Sequence, residues 1–188
     1  MEKIPVLYLS TTYEKNQVSP FYLRDIMKKQ GFSDLYVIDE QGITKNQPQY
    51  AFYQRFSSLF DLWVDTGPRE MGDVVDDIFS GAKRIIIRLN LWNESTLSQI
   101  RELTDHEIFL AVDLVKMNEI LSYPLLFDEA DGIVLFLTSE KNTDFKLESK
   151  INQITRNKPV YIFDSKVNEP YWSTKNIKGL LQDINLFV

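Results

Sequence analysis

Cysteine is absent from this 188-residue chain, and histidine occurs once, at His106. Disulfides, thiolate chemistry and metal sites built from several histidines are therefore excluded. Long apolar runs are also missing, because no stretch approaches the roughly 18 residues that a membrane-spanning helix needs. Residues 1–3, Met-Glu-Lys, do not begin a secretory signal. We therefore expect a cytoplasmic protein without a membrane partner.

Basic residues are outnumbered, with 21 Lys and Arg against 27 Asp and Glu, and the formal net charge is −6. A nucleic-acid partner is not expected, because phosphate binding needs a basic face. The hydrophobic content of 44% and charged content of 26% are ordinary for a globular protein. The length suits one core, so we expect a single domain spanning residues 1–188.

One stretch shows the repeating plan of the chain. An apolar run over residues 60–64 ends in Asp65 and is followed by a Gly-Pro turn. A helical pattern then runs over residues 71–80, Gly81 ends it, and the next apolar run begins at Arg84. Strand, loop, helix and strand thus follow one another in about 30 residues, which is the size of a βαβ unit.

The same unit recurs along the chain. Strands are predicted over residues 4–9, 35–39, 62–65, 85–89, 108–113, 132–137, 159–164 and 179–182. Helices are predicted over residues 20–30, 48–59, 71–80, 93–103 and 144–156, with a further helix beginning near Lys116 and interrupted by Pro124. Strand starts recur about every 25 residues, which favours βα repeats.

Eight such repeats predict an α/β fold, a compact (β/α)8 barrel with short helices and a truncated C-terminal end. An open, doubly wound sheet is the alternative. No glycine-rich loop follows the first strand, which disfavours the dinucleotide-binding form of that sheet.

Three segments carry a resemblance to a known family. They are residues 35–43 (LYVIDEQGI), 62–69 (LWVDTGPR) and 81–86 (GAKRII). They resemble the strand ends of the ProFAR isomerase family of histidine biosynthesis, and more closely the uncharacterised proteins grouped with it. The resemblance implies a (β/α)8 barrel and an Amadori rearrangement of a phosphorylated aminoaldose. It also implies carboxyl groups after strands 1 and 5, a threonine after strand 6, and phosphate-binding glycines after strands 7 and 8.

Position by position, the resemblance places Asp113 at the strand 5 carboxyl and Thr138 at the strand 6 threonine. Tyr8 stands where the strand 1 carboxyl belongs, and residues 163–167 (FDSKV) contain no glycine. Asp183 stands where a phosphate-binding glycine is expected, and a carboxylate there would repel phosphate.

In a (β/α)8 barrel the carboxyl ends of the strands form one mouth, where active sites lie. Five predicted strands end at or beside an aspartate: Asp39, Asp65, Asp113, Asp164 and Asp183. We predict a catalytic set of Asp113, Thr138 and Asp65, and a substrate-binding set of Asp39, Arg88, Arg69, Asp164 and Tyr8. For any one aspartate, capping of the next helix is the competing interpretation.

No cofactor and no metal are predicted. Carboxylates with Thr, Ser and Asn oxygens would suit Mg²⁺, but no spacing motif supports such a site. Tyr8 is interpreted either as a proton donor or as an inward-facing core residue. Trp63 alternates with Asp65 and is predicted to fill the barrel interior. Any exposed part of the aromatic stripe over residues 50–60 would favour a homodimer.

Three functions stay open at this point. The first is an isomerase-type enzyme that acts on a small, carbonyl-containing or phosphorylated metabolite through Asp113. The second is a barrel specialised for a ligand that lacks phosphate or carries a metal. The third is a barrel without catalysis, in which side chains and ion pairs block the mouth, because a fold alone does not fix function.

Overall fold

The computed structural model describes residues 1–10, 19–113, 122–137, 145–164 and 169–187. Eight parallel strands pair in chain order, and the first pairs with the last, so the sheet closes into a barrel. The strands are β1 (Glu2–Leu9), β2 (Asp34–Asp39), β3 (Asp61–Asp65), β4 (Arg84–Arg88), β5 (Glu107–Asp113), β6 (Gly132–Leu137), β7 (Val160–Asp164) and β8 (Gly179–Asp183). The predicted (β/α)8 barrel is confirmed, and the open sheet is excluded.

Short helices connect the strands. They are α1 (Pro20–Gln30), α2 (Glu40–Lys45), α3 (Tyr50–Phe56), α4 (Met71–Phe79), α5 (Ser98–Leu103), α6 (Pro124–Glu129), α7 (Phe145–Thr155) and α8 (Glu169–Ser173). A 3-10 helix (Ile184–Phe187) follows β8. Within the described part of the chain, no helix has the length and apolar character needed to cross a membrane.

Local sequence signals set several helix bounds. The first helical residue of α1 is Pro20, whose fixed φ suits that position, and Gly31 ends the helix with φ 75°. The predicted bounds of this helix are confirmed at both ends. In α4, Glu70 and Asp73 form a capping box, each side chain accepting from the other residue's backbone N–H group.

Two predicted helices differ from the structure. The helix predicted over residues 48–59 is only α3, and α2 occupies part of the preceding segment, where a loop was expected. The helix predicted from Asn93 begins at Ser98. Pro124 begins α6, where its fixed φ suits the first helical turn. The residues between Lys116 and 121 lie outside the described residues.

Side chains of the barrel form two apolar layers. The outer layer lies between the strands and the helices and includes Tyr53 and Phe56 of α3. Tyr50 and Phe52 of the 50–60 stripe are partly buried and pack against this layer, and the homodimer stays a prediction. The interior layer is a separate cluster: Ile4, Val6, Tyr36, Ile38, Trp63, Ile86, Phe109, Ala111, Val134, Phe136, Tyr161 and Leu181. Trp63 fills the interior, as predicted.

The amino-terminal end of the barrel is closed by a polar network. Arg84 pairs with Asp34 and with Glu107, the latter at 2.6 Å, and its guanidinium lies 4.7 Å from the Trp63 ring. The Trp63 indole N–H donates to Asp34 at 2.8 Å. This end is therefore filled with paired side chains, and the opposite, carboxyl end is the place for a site.

Candidate active site at the carboxyl end of the barrel

A buried ion pair lies at the base of the barrel mouth. The Asp65 carboxylate is fully buried at the end of β3, and Arg88 ends the adjacent β4. Arg88 donates from Nε to Asp65 Oδ1 at 2.8 Å and from Nη2 to Oδ2 at 2.7 Å. The Tyr36 hydroxyl donates to Oδ2 at 3.0 Å. Three donors therefore hold this carboxylate, which makes Asp65 a poor candidate for a proton-accepting base.

Electrostatics fix the protonation states of this group. Burial works against the charged form of Arg88, but Asp65 and the hydrogen bonds to it raise the pKa of the guanidinium above its usual range. Burial and the neighbouring Asp65 raise the pKa of the Tyr36 hydroxyl well above its usual value. Arg88 is therefore cationic and Tyr36 is a neutral donor at neutral pH.

Aromatic rings form the floor of the mouth. The Arg88 guanidinium lies 4.8 Å from the centre of the Phe136 ring, which gives a cation–π contact. The Phe136 and Phe163 ring centres are 5.5 Å apart, and those of Phe163 and Tyr8 are 6.1 Å apart. A continuous row of contacts thus links Tyr8 on β1 to Arg88 on β4.

Tyr8 stands at the edge of this floor. It follows Ile4 and Val6 on the inward face of β1 and is 39% exposed. Burial of the remainder, together with Asp183, raises the pKa of the Tyr8 hydroxyl to about 12. Its hydroxyl is therefore protonated at neutral pH and can donate a hydrogen bond.

Asp113 and Asp183 face the same mouth. Residues 109 and 111 of β5 belong to the interior cluster, so strand alternation turns Asp113 inward, where it is half-buried. By the same alternation Asp183 follows Leu181 on the inward face of β8. Its carboxylate accepts from the backbone and side-chain amides of Asn185, both at 2.8 Å. The mouth thus holds two carboxylates beyond the Asp65–Arg88 pair.

Asp39 lies on the other side of the barrel wall. Its neighbours Leu35 and Val37 on β2 belong to the outer layer, and Asp39 itself is fully buried. It caps α2 by accepting from the backbone N–H groups of Gln41 and Gly42, and it also accepts from Gln49 N and the Tyr53 hydroxyl. The geometry gives it the capping role that was the competing interpretation.

Asp164 and Arg69 also make structural contacts away from the barrel interior. Asp164 shares the outward face of β7 with Ile162 and accepts from the indole N–H of Trp172 at 2.8 Å. Arg69 follows β3 and donates to Asn46 Oδ1 at 2.6 Å and to the Ile43 carbonyl at 2.9 Å. It therefore ties the loop after β3 to α2 and to Asn46, the residue that ends α2.

The structure brings together Tyr8, Asp65, Arg88 and Asp113 of the predicted site residues. Thr138 lies outside the described residues. Within the described ranges, no cluster of three or more His, Asp or Glu side chains could hold a metal ion.

Sequence reasoning missed three residues of the mouth: Tyr36, Phe136 and Phe163. They were read only as apolar members of strands. The signal that could have found them is alternation, since Tyr36 pairs in register with Trp63 on the neighbouring strand and both face inward.

Comparisons with known proteins bear on the fold. No family model and no curated protein matches the chain. Among solved structures, the chain is similar to that of oxaloacetate acetylhydrolase in complex with the product oxalate. The TM-score is 0.61 with 12% identity, and the alignment covers 98% of this chain and 76% of the other. This likeness shows the fold alone. Membership of the ProFAR isomerase family stays a prediction.

Proposed function

We propose that this barrel is a small-molecule enzyme of the intramolecular isomerase type, with Asp113 as the acid-base residue and a sugar-like metabolite as substrate. The supporting observation is the position of Asp113. It ends β5, faces the barrel mouth and is half-buried. The family resemblance assigns the strand 5 carboxyl of an isomerase to the same position. A carboxylate is one of the side chains that transfer protons in general acid-base catalysis.

The ion pair has a supporting role in this proposal. Asp65, which the sequence suggested as catalytic, accepts from Arg88 and Tyr36 and so holds Arg88 in one orientation. Arg88 then presents a fixed positive charge to the substrate. Such preorganised charge is effective in catalysis because it needs no rearrangement during the reaction.

A second candidate is a barrel that binds a ligand without phosphate, with or without catalysis. Asp183 lies where the related isomerases have a phosphate-binding glycine, and its carboxylate faces the mouth. The Asp183 carboxylate accepts from the amides of Asn185, which are neutral, so it keeps its negative charge uncompensated by that contact. A neutral or cationic ligand suits this charge balance better than a phosphate ester.

Turnover in heavy water tests the first candidate. The protein is incubated with ProFAR, related aminoaldose phosphates and their unphosphorylated forms, and NMR follows both rearrangement and deuterium uptake at carbon. We expect exchange that Asp113→Asn abolishes. Asp61→Asn is the matched control, because Asp61 is exposed at the opposite end of the barrel, at the start of β3.

The result also separates the two candidates. Rearrangement that survives in Asp113→Asn contradicts the assigned role of Asp113. An inert protein that is nevertheless stabilised against heat by an unphosphorylated compound, and not by its phosphate ester, supports the second candidate.

A further inference from the structure

We infer that Arg88 and Tyr8 bind one substrate oxygen together and stabilise the negative charge that forms on it when a neighbouring C–H proton is removed. This inference rests on the proposed function and names the chemical class of its substrate, a hydroxyaldehyde or hydroxyketone. It assigns catalytic roles to two residues that the resemblance does not supply.

Arg88 has one donor nitrogen that Asp65 does not use. Its Nε and Nη2 atoms donate to Asp65, and Nη1 has no acceptor among the residues that the structure describes. The side chain keeps 21% exposure, whereas Asp65 has none. Asp65 and the Phe136 ring fix the guanidinium plane from two directions. The remaining nitrogen is therefore a fixed donor available to a bound molecule.

Tyr8 offers the second donor. Within the described ranges its hydroxyl has no hydrogen-bond partner, while its ring is held by an edge contact with Phe163. The Tyr8 residue is 39% exposed, and its hydroxyl stays protonated at neutral pH because burial and Asp183 keep the pKa high. A rigid, neutral O–H group at the mouth is suited to an oxygen that becomes anionic.

The two donors share one floor. The row Tyr8–Phe163–Phe136–Arg88 is continuous, with ring and cation separations of 6.1, 5.5 and 4.8 Å. The charge of Arg88 also acts on the Tyr8 hydroxyl and opposes the rise in its pKa. Both donors therefore line one mouth, where a bound carbonyl group can lie between them.

The reaction that these donors assist is an isomerisation by proton transfer. The Asp113 carboxylate takes the proton from the carbon next to the carbonyl group, and the C–H electron pair forms a carbon–carbon double bond. The carbonyl π electrons move to oxygen, where Arg88 and Tyr8 hold the enediolate charge. Transfer of the second hydroxyl proton to this oxygen, and return of the Asp113 proton to the former carbonyl carbon, complete the isomerisation without an oxidant.

A phenol whose anion absorbs visible light is a direct probe of the two donors. Binding of 4-nitrophenol is measured by absorbance in the Asp113→Asn protein, because a negatively charged carboxylate in the mouth would repel the phenolate. We expect the bound phenol to ionise at a lower pH than the free phenol. Loss of one donor in Tyr8→Phe should weaken phenolate binding about fivefold to tenfold, the effect of one hydrogen bond. Tyr22→Phe, an exposed tyrosine of α1, is the control.

Removal of Arg88 alone would leave Asp65 buried without its cation, and the protein would be destabilised. The Asp65→Asn/Arg88→Met pair avoids this, because asparagine still accepts from Tyr36. This variant should also weaken phenolate binding. Equal affinity in the parent and the variants, or no binding by the parent, overturns the inference. If Asp113→Asn abolishes turnover but the donor variants bind phenolate as well as the parent does, the inference fails and the proposed function is still supported. If the protein binds phenolate but catalyses no rearrangement, only the proposed function is contradicted.

Discussion

Asp65 and Arg88 form a two-point ion pair across neighbouring strands, with N–O distances of 2.8 and 2.7 Å and a carboxylate that solvent does not reach. A pair of this kind fixes the guanidinium in direction as well as position. It also makes each partner depend on the other, because a single charge left in the barrel interior would have no compensation.

A double-mutant cycle tests this dependence. Arg88→Met should lower the free energy of unfolding by about 3–5 kcal/mol, because it leaves the Asp65 carboxylate unpaired. The double variant Asp65→Asn/Arg88→Met should recover most of this loss. Urea denaturation followed by circular dichroism measures both values. Equal stability of the single and the double variant would contradict the strong coupling that the geometry indicates.

Asp39 should matter for stability and not for ligand binding. Asp39→Ala removes the cap of α2 and leaves Gln49 N and the Tyr53 hydroxyl without their acceptor. We expect a loss of about 2–4 kcal/mol in the free energy of unfolding. Asp39→Asn should lose less, since its amide oxygen still accepts. If Asp39→Ala keeps normal stability but no longer binds the compounds that the wild-type protein binds, Asp39 belongs to the substrate-binding set after all.

The contrast between Asp39 and Asp65 shows what the sequence could predict. Both residues end a predicted strand, and the strand positions agree closely with the structure because apolar runs bounded by polar residues are a strong signal. The inward or outward direction of each end was not predicted for every strand. Barrel strands are apolar on both faces, so alternation of polar and apolar residues cannot reveal which face points inward.

Two side chains did reveal their direction. Trp63 and Asp65 alternate, and the prediction that both face the interior is confirmed. The direction of Asp164 could not be predicted in this way, because it depends on a contact with Trp172 of α8, a short helix that was not among the predicted ones. A capping or indole contact depends on tertiary packing and cannot be predicted from the spacing of aspartates along the chain.

A buried carboxyl group of α4 predicts a loss of stability as the pH rises. Asp77 of α4 is fully buried, accepts one hydrogen bond from the Thr66 hydroxyl, and has no partner for Oδ1 among the described residues. Burial raises the pKa of this carboxyl well above its usual 3.8, the Thr66 hydrogen bond opposes the shift, and three neighbouring carboxylates add to it. Those neighbours are Asp73, Asp65 and Asp39.

The direction of this pH dependence follows from proton binding. A pKa that is higher in the folded state means that the folded protein holds the proton over a range where the unfolded chain has released it. Stability from Asp77 is therefore present below pH 3.8 and is lost as the pH rises through the folded-state pKa. Asp77→Asn should remove this slope and raise stability at neutral pH, on the order of 1 kcal/mol.

Urea denaturation between pH 5 and pH 9 measures how the free energy of unfolding changes with pH. This range is chosen because carboxyl groups of the unfolded chain are already ionised there. Asp76→Asn is the matched control, because Asp76 lies on the same helix and is exposed. The control should keep the pH slope of the wild type. A slope that persists in Asp77→Asn would show that the Asp77 carboxyl does not cause it.

Gly132 is required by the packing of the barrel interior. A methyl group at Gly132 would lie 2.4 and 2.7 Å from two carbon atoms of the Phe109 ring and 2.9 Å from the Pro159 carbonyl oxygen. Phe109 cannot move away easily, because its ring centre is 4.6 Å from that of Trp63. Gly132→Ala should therefore lower the free energy of unfolding by about 1–3 kcal/mol through overpacking.

Gly72 is the matched control for this prediction. It lies in α4, and a methyl group there would meet only one atom within 4 Å, the Glu70 carboxylate oxygen at 3.9 Å. Gly72→Ala should raise stability by about 0.5 kcal/mol, because alanine loses less conformational entropy in a helix. The two substitutions should also differ in tryptophan fluorescence, since only the first pushes a ring against Trp63. A Gly132→Ala protein with normal stability and an unchanged spectrum would mean that the interior has more free space than these distances allow.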